Sequence, residues 1–329
     1  DDFDDTQLAQ TPDRIYGLLT HPTVPALASA LAVGQEVGVN GKDFLTAFCA
    51  GFEVECKIAE AMNPDHYIKG FHSTATMGVF GSVAGAARLY GLSAEQTRFA
   101  IGIAASKSAG LRVNFGTMTK PYHAGAAAEN GVVAAQLARL GYESDPNALD
   151  GQWGHFQVMG GGVDADRLIG HLGNPYTLSW PGVSVKPYPC GSLSHPSMDT
   201  LLDLILEHDV KPEQVEEVRL GAGNNILHPL RYQEPQNELE AKFSLQFCLG
   251  ILVLRRQAGI QEFTDEVVQS AEVKEMMKRV KTYHSPEVEA RGADRIRSLV
   301  EVRLKDGRVL SAEAEISRGT PDRPMGRDG

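Results

Sequence analysis

Between Pro22 and Met62 apolar side chains recur at Leu27, Leu31, Val37, Phe44, Phe48, Phe52 and Ile58, which is helical spacing. Gly34, Gly38 and Gly41 interrupt the run and split it into two predicted helices. Asn63-Pro-Asp-His-Tyr reads as a turn, with His66 exposed and without a role. From Gly70 to Gly131 the composition changes to Gly, Ala and Ser, and the order reads as helix, helix, loop, helix. Small side chains there let backbones approach closely. Ser93-Ala-Glu-Gln96 is a capping box that opens the second of these helices. Pro121 fits the first position of the third, where its missing N–H costs nothing, and that helix ends near Gly141. A smaller helix-rich piece follows through Trp153, Phe156 and a Gly160-Gly-Gly162 hinge to Trp180.

From Val183 onward strands enter the pattern. The order is an extended segment with Lys186, a helix over Ser197–His208, a strand over Val215–Leu220 and a loop to Glu238. Helices follow over Ala241–Arg255 and Val267–Val280, then strands over Ser298–Leu304 and Val309–Ile316. Lys305-Asp-Gly-Arg308 has the composition of a hairpin turn between the last two. The fold expected is mainly α: an all-helical domain over residues 1–182, then a smaller, lid-like α+β domain over residues 183–329.

A chain of 329 residues, 42% hydrophobic and 22% charged, is ordinary for a soluble protein with a sizeable core. No apolar run reaches the roughly 18 to 20 residues that span a bilayer, so no membrane role is expected. A net charge of -11 argues against a nucleic-acid partner, which would select a basic face. Any anionic ligand must be attracted by a local cationic pocket. The four cysteines, Cys49, Cys56, Cys190 and Cys248, include no C-x-x-C pair and suit reduced thiols in the cytoplasm. They offer nothing that would hold an iron–sulfur cluster, and Cys49 and Cys56, seven apart on one helix, are read as core-facing. No H-E-x-x-H or comparable set suggests a metal, and no Gly-rich nucleotide fingerprint follows a strand.

Lys120 and His123 sit at the opening of the third Gly/Ala-rich helix. Its free N–H groups, its dipole and the Lys120 ammonium all favour an anion at one spot, which reads as a carboxylate site. The segments that carry chemistry are Gly-Phe-His72-Ser-Thr-Ala-Thr-Met-Gly, Gly-Thr-Met-Thr-Lys120-Pro-Tyr-His-Ala-Gly, and Val-Lys186-Pro-Tyr-Pro-Cys with His195-Pro196 downstream. Together with Asp2-Phe-Asp-Asp-Thr6 near the start, they resemble the signature segments of the MmgE/PrpD family. That family includes 2-methylcitrate dehydratases, cis-aconitate decarboxylases and iminodisuccinate epimerases.

The resemblance implies a cofactor-independent lyase of the 2-methylcitrate dehydratase kind, acting on a small di- or tricarboxylate by proton transfer next to a carboxylate. An iminodisuccinate-type epimerase, a cis-aconitate-type decarboxylase and a non-catalytic carboxylate binder are the alternatives. His72, Lys120, Asp2 and His21 are implied to be catalytic, and Thr6, Lys186, His123 and His195 to bind substrate, with no metal and no cofactor. His72 is the foremost candidate for the proton-transfer group. One departure weighs against decarboxylation: Phe247 stands where decarboxylase members place a tyrosine, and it is read as pocket wall or core. A cytoplasmic homodimer is also implied. The family carries further helices at both ends, so the chain reads as cut at both termini.

Overall fold

The computed structural model describes residues 6–8, 20–62, 65–292 and 295–326. Its first element is strand β1 (Thr6–Leu8), followed by helices α1 (Thr23–Val37), α2 (Gly41–Met62), the single turn α3 (Asp65–Ile68), α4 (Ser73–Leu89), α5 (Ala94–Lys107) and α6 (Thr119–Arg139). A π-helical turn at Phe156–Gly160 and the short α7 (Ala165–Ile169) come next. Helix α4 is the centre of this half, because α1, α2, α5 and α6 all pack on it. A helix enclosed on every side must be small or apolar all round, and nearly all of α4 is buried. Glycines set how close its neighbours come. A Cβ at Gly131 of α6 would lie 2.4 Å from the Ser82 Cβ, and one at Gly78 would lie 2.6 Å from the Pro25 ring of α1.

This crowding overturns one feature of the apolar pattern. Helix α1 buries Pro25, Ala26, Ser29, Ala30 and Val33, whereas Leu27 and Leu31 face outward. The face that can approach α4 most closely is the small one, and close packing selects it over the greasier stripe. Of the two cysteines on α2, Cys56 is buried and Cys49 only half-buried. The third Gly/Ala-rich helix starts at Thr119, so Pro121 lies within its first turn and not at its first position. The chemistry is unchanged, since N–H groups of a first turn have no partner within the helix.

The described residues up to Asn114, with Thr119–Val183, make one compact unit; Phe115–Met118 and the described residues from Ser184 on make a second. After the short strand β2 (Val183–Val185), the second unit contains α8 (His195–Glu207), β3 (Val215–Ala222), α9 (Asn224–Leu227), α10 (Glu238–Ala241), α11 (Leu245–Arg255), α12 (Asp265–Gln269), α13 (Ala271–Arg279), β4 (Val280–His284), α14 (Pro286–Ala290), β5 (Ser298–Leu304) and β6 (Val309–Ala314). A four-stranded sheet runs in the order β4-β3-β5-β6. Strands β3 and β4 are parallel, with Val218 opposite Val280, while β5 is antiparallel to both β3 and β6. Along β5, Ser298, Val300, Val302 and Leu304 turn inward and alternate with half-buried neighbours, and α8 packs on β5 and β6. Gly307, with φ +88°, closes the β5–β6 turn.

Two helices read from the sequence are broken. Ala241–Arg255 divides at Lys242–Ser244, because the Ser244 hydroxyl accepts the Phe247 N–H at 3.1 Å and so caps α11. Val267–Val280 divides at Ser270, and the chain beyond Arg279 leaves the helix as β4, a strand the sequence pattern did not give.

Candidate active site

His72 is the N-cap of α4 and only 1% exposed, yet its side chain makes no capping bond. Its backbone is fixed instead: the His72 N–H donates to the Gly110 carbonyl at 3.1 Å, and its own carbonyl accepts the N–H groups of Ala75 and Thr76. Gly110, with φ +151°, passes so close that a Cβ there would lie 2.4 Å from the Ala75 Cβ. Only glycine lets this crossing support the His72 backbone. The imidazole is left to face α6, where its Nδ1 lies 3.0 Å from the Nδ1 of His123.

Two neutral imidazoles joined Nδ1 to Nδ1 must adopt opposite tautomers, because one nitrogen donates and the other accepts. One ring then carries a bare Nε2 and the other an Nε2–H. The pair thus holds a base and an acid side by side. Burial, and after it the Lys120 ammonium, lowers the pKa of His123 from its usual value, which keeps that ring neutral. Lys120 is itself 3% exposed in the first turn of α6. It acts on buried Tyr67 as well, whose hydroxyl is raised by burial and drawn back by Arg112 and Lys120. Arg112 stacks its guanidinium 3.8 Å from the Tyr67 ring centroid and donates to the Tyr67 carbonyl at 2.7 Å. Lys120 therefore acts on both His123 and Tyr67, and Arg112 on Tyr67.

His21 joins the same neighbourhood through its backbone N–H, which donates to the Thr74 hydroxyl at 3.0 Å. Thr74 lies two residues beyond His72. Asp2 lies outside the described residues, and for Thr6 only the backbone, in β1, is described.

Two residues around this cluster escaped the sequence reading, and a third was misread. Arg112 and Tyr67 carry no motif; the one available signal was an arginine in the loop just before the third Gly/Ala-rich helix. His66, expected on the surface, is fully buried. Its Nε2 is 2.6 Å from the Thr76 hydroxyl, its Nδ1 is 3.2 Å from the Met159 carbonyl, and its ring stacks on Phe71. Burial, only partly offset by the Met159 hydrogen bond, pushes it down to about 4. His155 is likewise pushed to about 4, by burial and then by charge on His66. Both are neutral structural histidines.

In the second unit Lys186, directly after β2, is buried at 9% exposure. His195 begins α8, 2% exposed, with its Nε2 3.3 Å from the Cys190 carbonyl and its ring edge-on to Tyr188. A buried carboxylate holds this segment: Asp199 accepts from the Tyr188 hydroxyl at 2.5 Å and from the Arg318 backbone N–H at 2.6 Å and side chain at 3.0 Å. Phe247 is core, fully buried and edge-on to Phe263 at 5.0 Å between centroids. Among the described residues no group of three or more His, Cys, Asp or Glu is placed to hold a metal ion. None of their helices is long and apolar enough to cross a membrane.

Models of the MmgE/PrpD N-terminal and C-terminal domains match residues 2–168 and 188–329. The cis-aconitate decarboxylase of Mus musculus is 28% identical over 339 residues, which take in 99% of this chain and 67% of that protein. For the cis-aconitate decarboxylase of Homo sapiens the figures are 27% over 333 residues, 99% and 67%. For that of Aspergillus terreus they are 24% over 326 residues, 92% and 65%. The chain spans about two thirds of the length of these relatives, all named as decarboxylases and hence lyases. With both halves matched in order, the chain belongs to the MmgE/PrpD family.

Proposed function

We propose that this chain is the lyase of a small polycarboxylate, 2-methylcitrate dehydratase-like, working by proton transfer beside a carboxylate. The observation that carries the reading is the buried Nδ1–Nδ1 pair of His72 and His123 with Lys120 beside it. Elimination of water from a β-hydroxy acid needs a base at the carbon next to a carboxylate, an acid for the departing hydroxyl, and a cation to take up charge developing on the carboxylate. The bare Nε2 of one ring, the Nε2–H of the other and the Lys120 ammonium have those three properties. The scheme calls for no cofactor. His21 is a further acid/base candidate, and Asp2, Thr6, Lys186 and His195 are assigned to orienting and binding the substrate on the resemblance of their segments.

Decarboxylation of cis-aconitate is the second reading, favoured by the names of the relatives. The same acid would then protonate carbon as carbon dioxide leaves. Burial of Phe247 in the core weighs against it, because no hydroxyl is available at that position.

The test offers 2-methylcitrate and cis-aconitate separately to the purified chain. Loss of water appears as alkene absorbance, and decarboxylation as released carbon dioxide. Lys120→Met, which leaves a substrate carboxylate without its cation, should lower kcat/KM by roughly 30- to 1,000-fold, or about 2 to 4 kcal/mol. A folded protein that turns over no polycarboxylate, or a Lys120→Met variant within about threefold of wild type, removes the proposal.

A further inference from the structure

The second unit carries a cleft of about 500 Å³ that the chemistry above does not use. Its volume falls in the range of small-molecule sites. At its floor is Gln246 of α11, nine-tenths buried, whose amide donates to the Thr282 hydroxyl of β4 at 3.3 Å. Cys248, two residues on and therefore about 200° around the helix, turns the other way, toward Cys190 and the Ala241 carbonyl. The cleft and the His195–Cys190 segment thus lie on opposite faces of α11.

One wall is the loop over residues 233–236, braced from two directions. The Gln236 N–H donates to the Glu240 carboxylate at 2.7 Å, and the Gln269 amide donates to the Gln236 carbonyl at 2.6 Å. The other wall is basic. Lys274 and Lys278 stand one turn apart on α13, and Lys281 on the edge strand β4 completes the lining. Facing these three lysines is one acidic lining residue, Glu234, and Glu275 pairs with Lys278 at 3.4 Å. Lys274 and Lys281 have no ion-pair partner among the described residues.

In a chain of net charge -11, acidic side chains are plentiful, yet they do not neutralise this opening. Glu275 offsets the charge of Lys278, which leaves Lys274 and Lys281 at the opening as the cations a bound anion would pair with. Gln246 and Thr282 add neutral hydrogen-bonding groups that suit the oxygens of such a ligand. We propose that this cleft binds a small polyanion bearing two or more phosphate or carboxylate groups, as a site separate from the histidine pair of the helical unit.

Calorimetric titration of the whole chain with inorganic pyrophosphate and, separately, with citrate tests this. Saturable binding of at least one probe is expected, weakening with added salt. In Lys274→Gln/Lys281→Gln, which alters two exposed side chains and should fold, affinity for that probe should fall by about tenfold or more. Lys274→Arg/Lys281→Arg, which keeps the charge, should restore it. Lys120→Met should leave the cleft's affinity for pyrophosphate unchanged, separating this site from the one proposed for catalysis. Compared in the Lys120→Met background, where the pocket proposed for catalysis has lost its cation, the tighter probe identifies the headgroup as phosphate or carboxylate. No saturable binding of either probe up to about 10 mM, or equal affinity in wild type and the Gln/Gln variant, overturns the proposal.

Discussion

His72 and His123 share one hydrogen-bonded proton between their Nδ1 atoms, so removing either ring frees the other to take whichever tautomer solvent favours. His72→Asn should therefore lower kcat by about 100- to 10,000-fold while costing the fold only about 1 to 3 kcal/mol, the scale of losing one buried hydrogen-bonding group. A weakened but active variant would make His72 a structural residue. The pair also fixes the sign of the pH dependence. Protonating the accepting ring turns its Nδ1 into a second donor and breaks the bond, so kcat/KM should fall toward acid. His123 is held below its usual value, which places that limb below about pH 6.5. Steady-state rates across the acid range should show the limb in wild type and lose it in His123→Asn. The individual residues were readable because each lies in a short, unusual segment. Their pairing was not, because residues 51 positions apart leave no spacing to read. His66 was misread for a related reason: Asn63-Pro signals a surface turn, but the following turn of α3 tucks the imidazole under the Met159 carbonyl.

Helix α6 contains two glycines that should respond oppositely to one added methyl. Gly125 has open space around its Cβ position, whereas at Gly131 the methyl would meet Ser82 at 2.4 Å and the Val83 nitrogen at 2.6 Å. Gly125→Ala should raise stability by about 0.5 to 1 kcal/mol through helix propensity, and Gly131→Ala should lower it by about 1 to 3 kcal/mol through overpacking. Thermal melts of the two variants against wild type check this, and equal shifts would mean that α4 and α6 are not packed as closely as described. Elements with strong periodicity or clear punctuation were legible: α4 to α6, α8, β3, and the β5–β6 hairpin with its Asp-Gly turn. Strand β4 was not, since Val280-Lys-Thr-Tyr-His has a single buried residue and its identity as a strand depends on β3 beside it. The burial of α1 was illegible for the opposite reason, as its pattern was clear but packing against α4 chose the smaller face.

Taken together, the buried histidines make the fold sensitive to acid. His66 and His155 both titrate near 4 in the folded chain against an ordinary value of 6.5, so the unfolded chain binds protons first as the pH falls. The stability they contribute is present above pH 6.5 and is lost progressively toward pH 4, by up to about 3 kcal/mol for each ring. The melting temperature should drop across that window, and His155→Gln, which keeps a donor but does not titrate, should flatten the drop. An unchanged slope in that variant would take His155 out of the acid sensitivity. The sheet has a different consequence, one of timing. Helix α4 finds its partners among residues close to it in the chain, whereas β3, ending at Ala222, pairs with strands that begin at Val280 and Ser298. Closing such long loops is slow, so during synthesis the helical unit can complete its packing while β3 still has both edges bare. In that interval an unpaired apolar strand, and not the mature surface, is the part of the chain most exposed to mispairing.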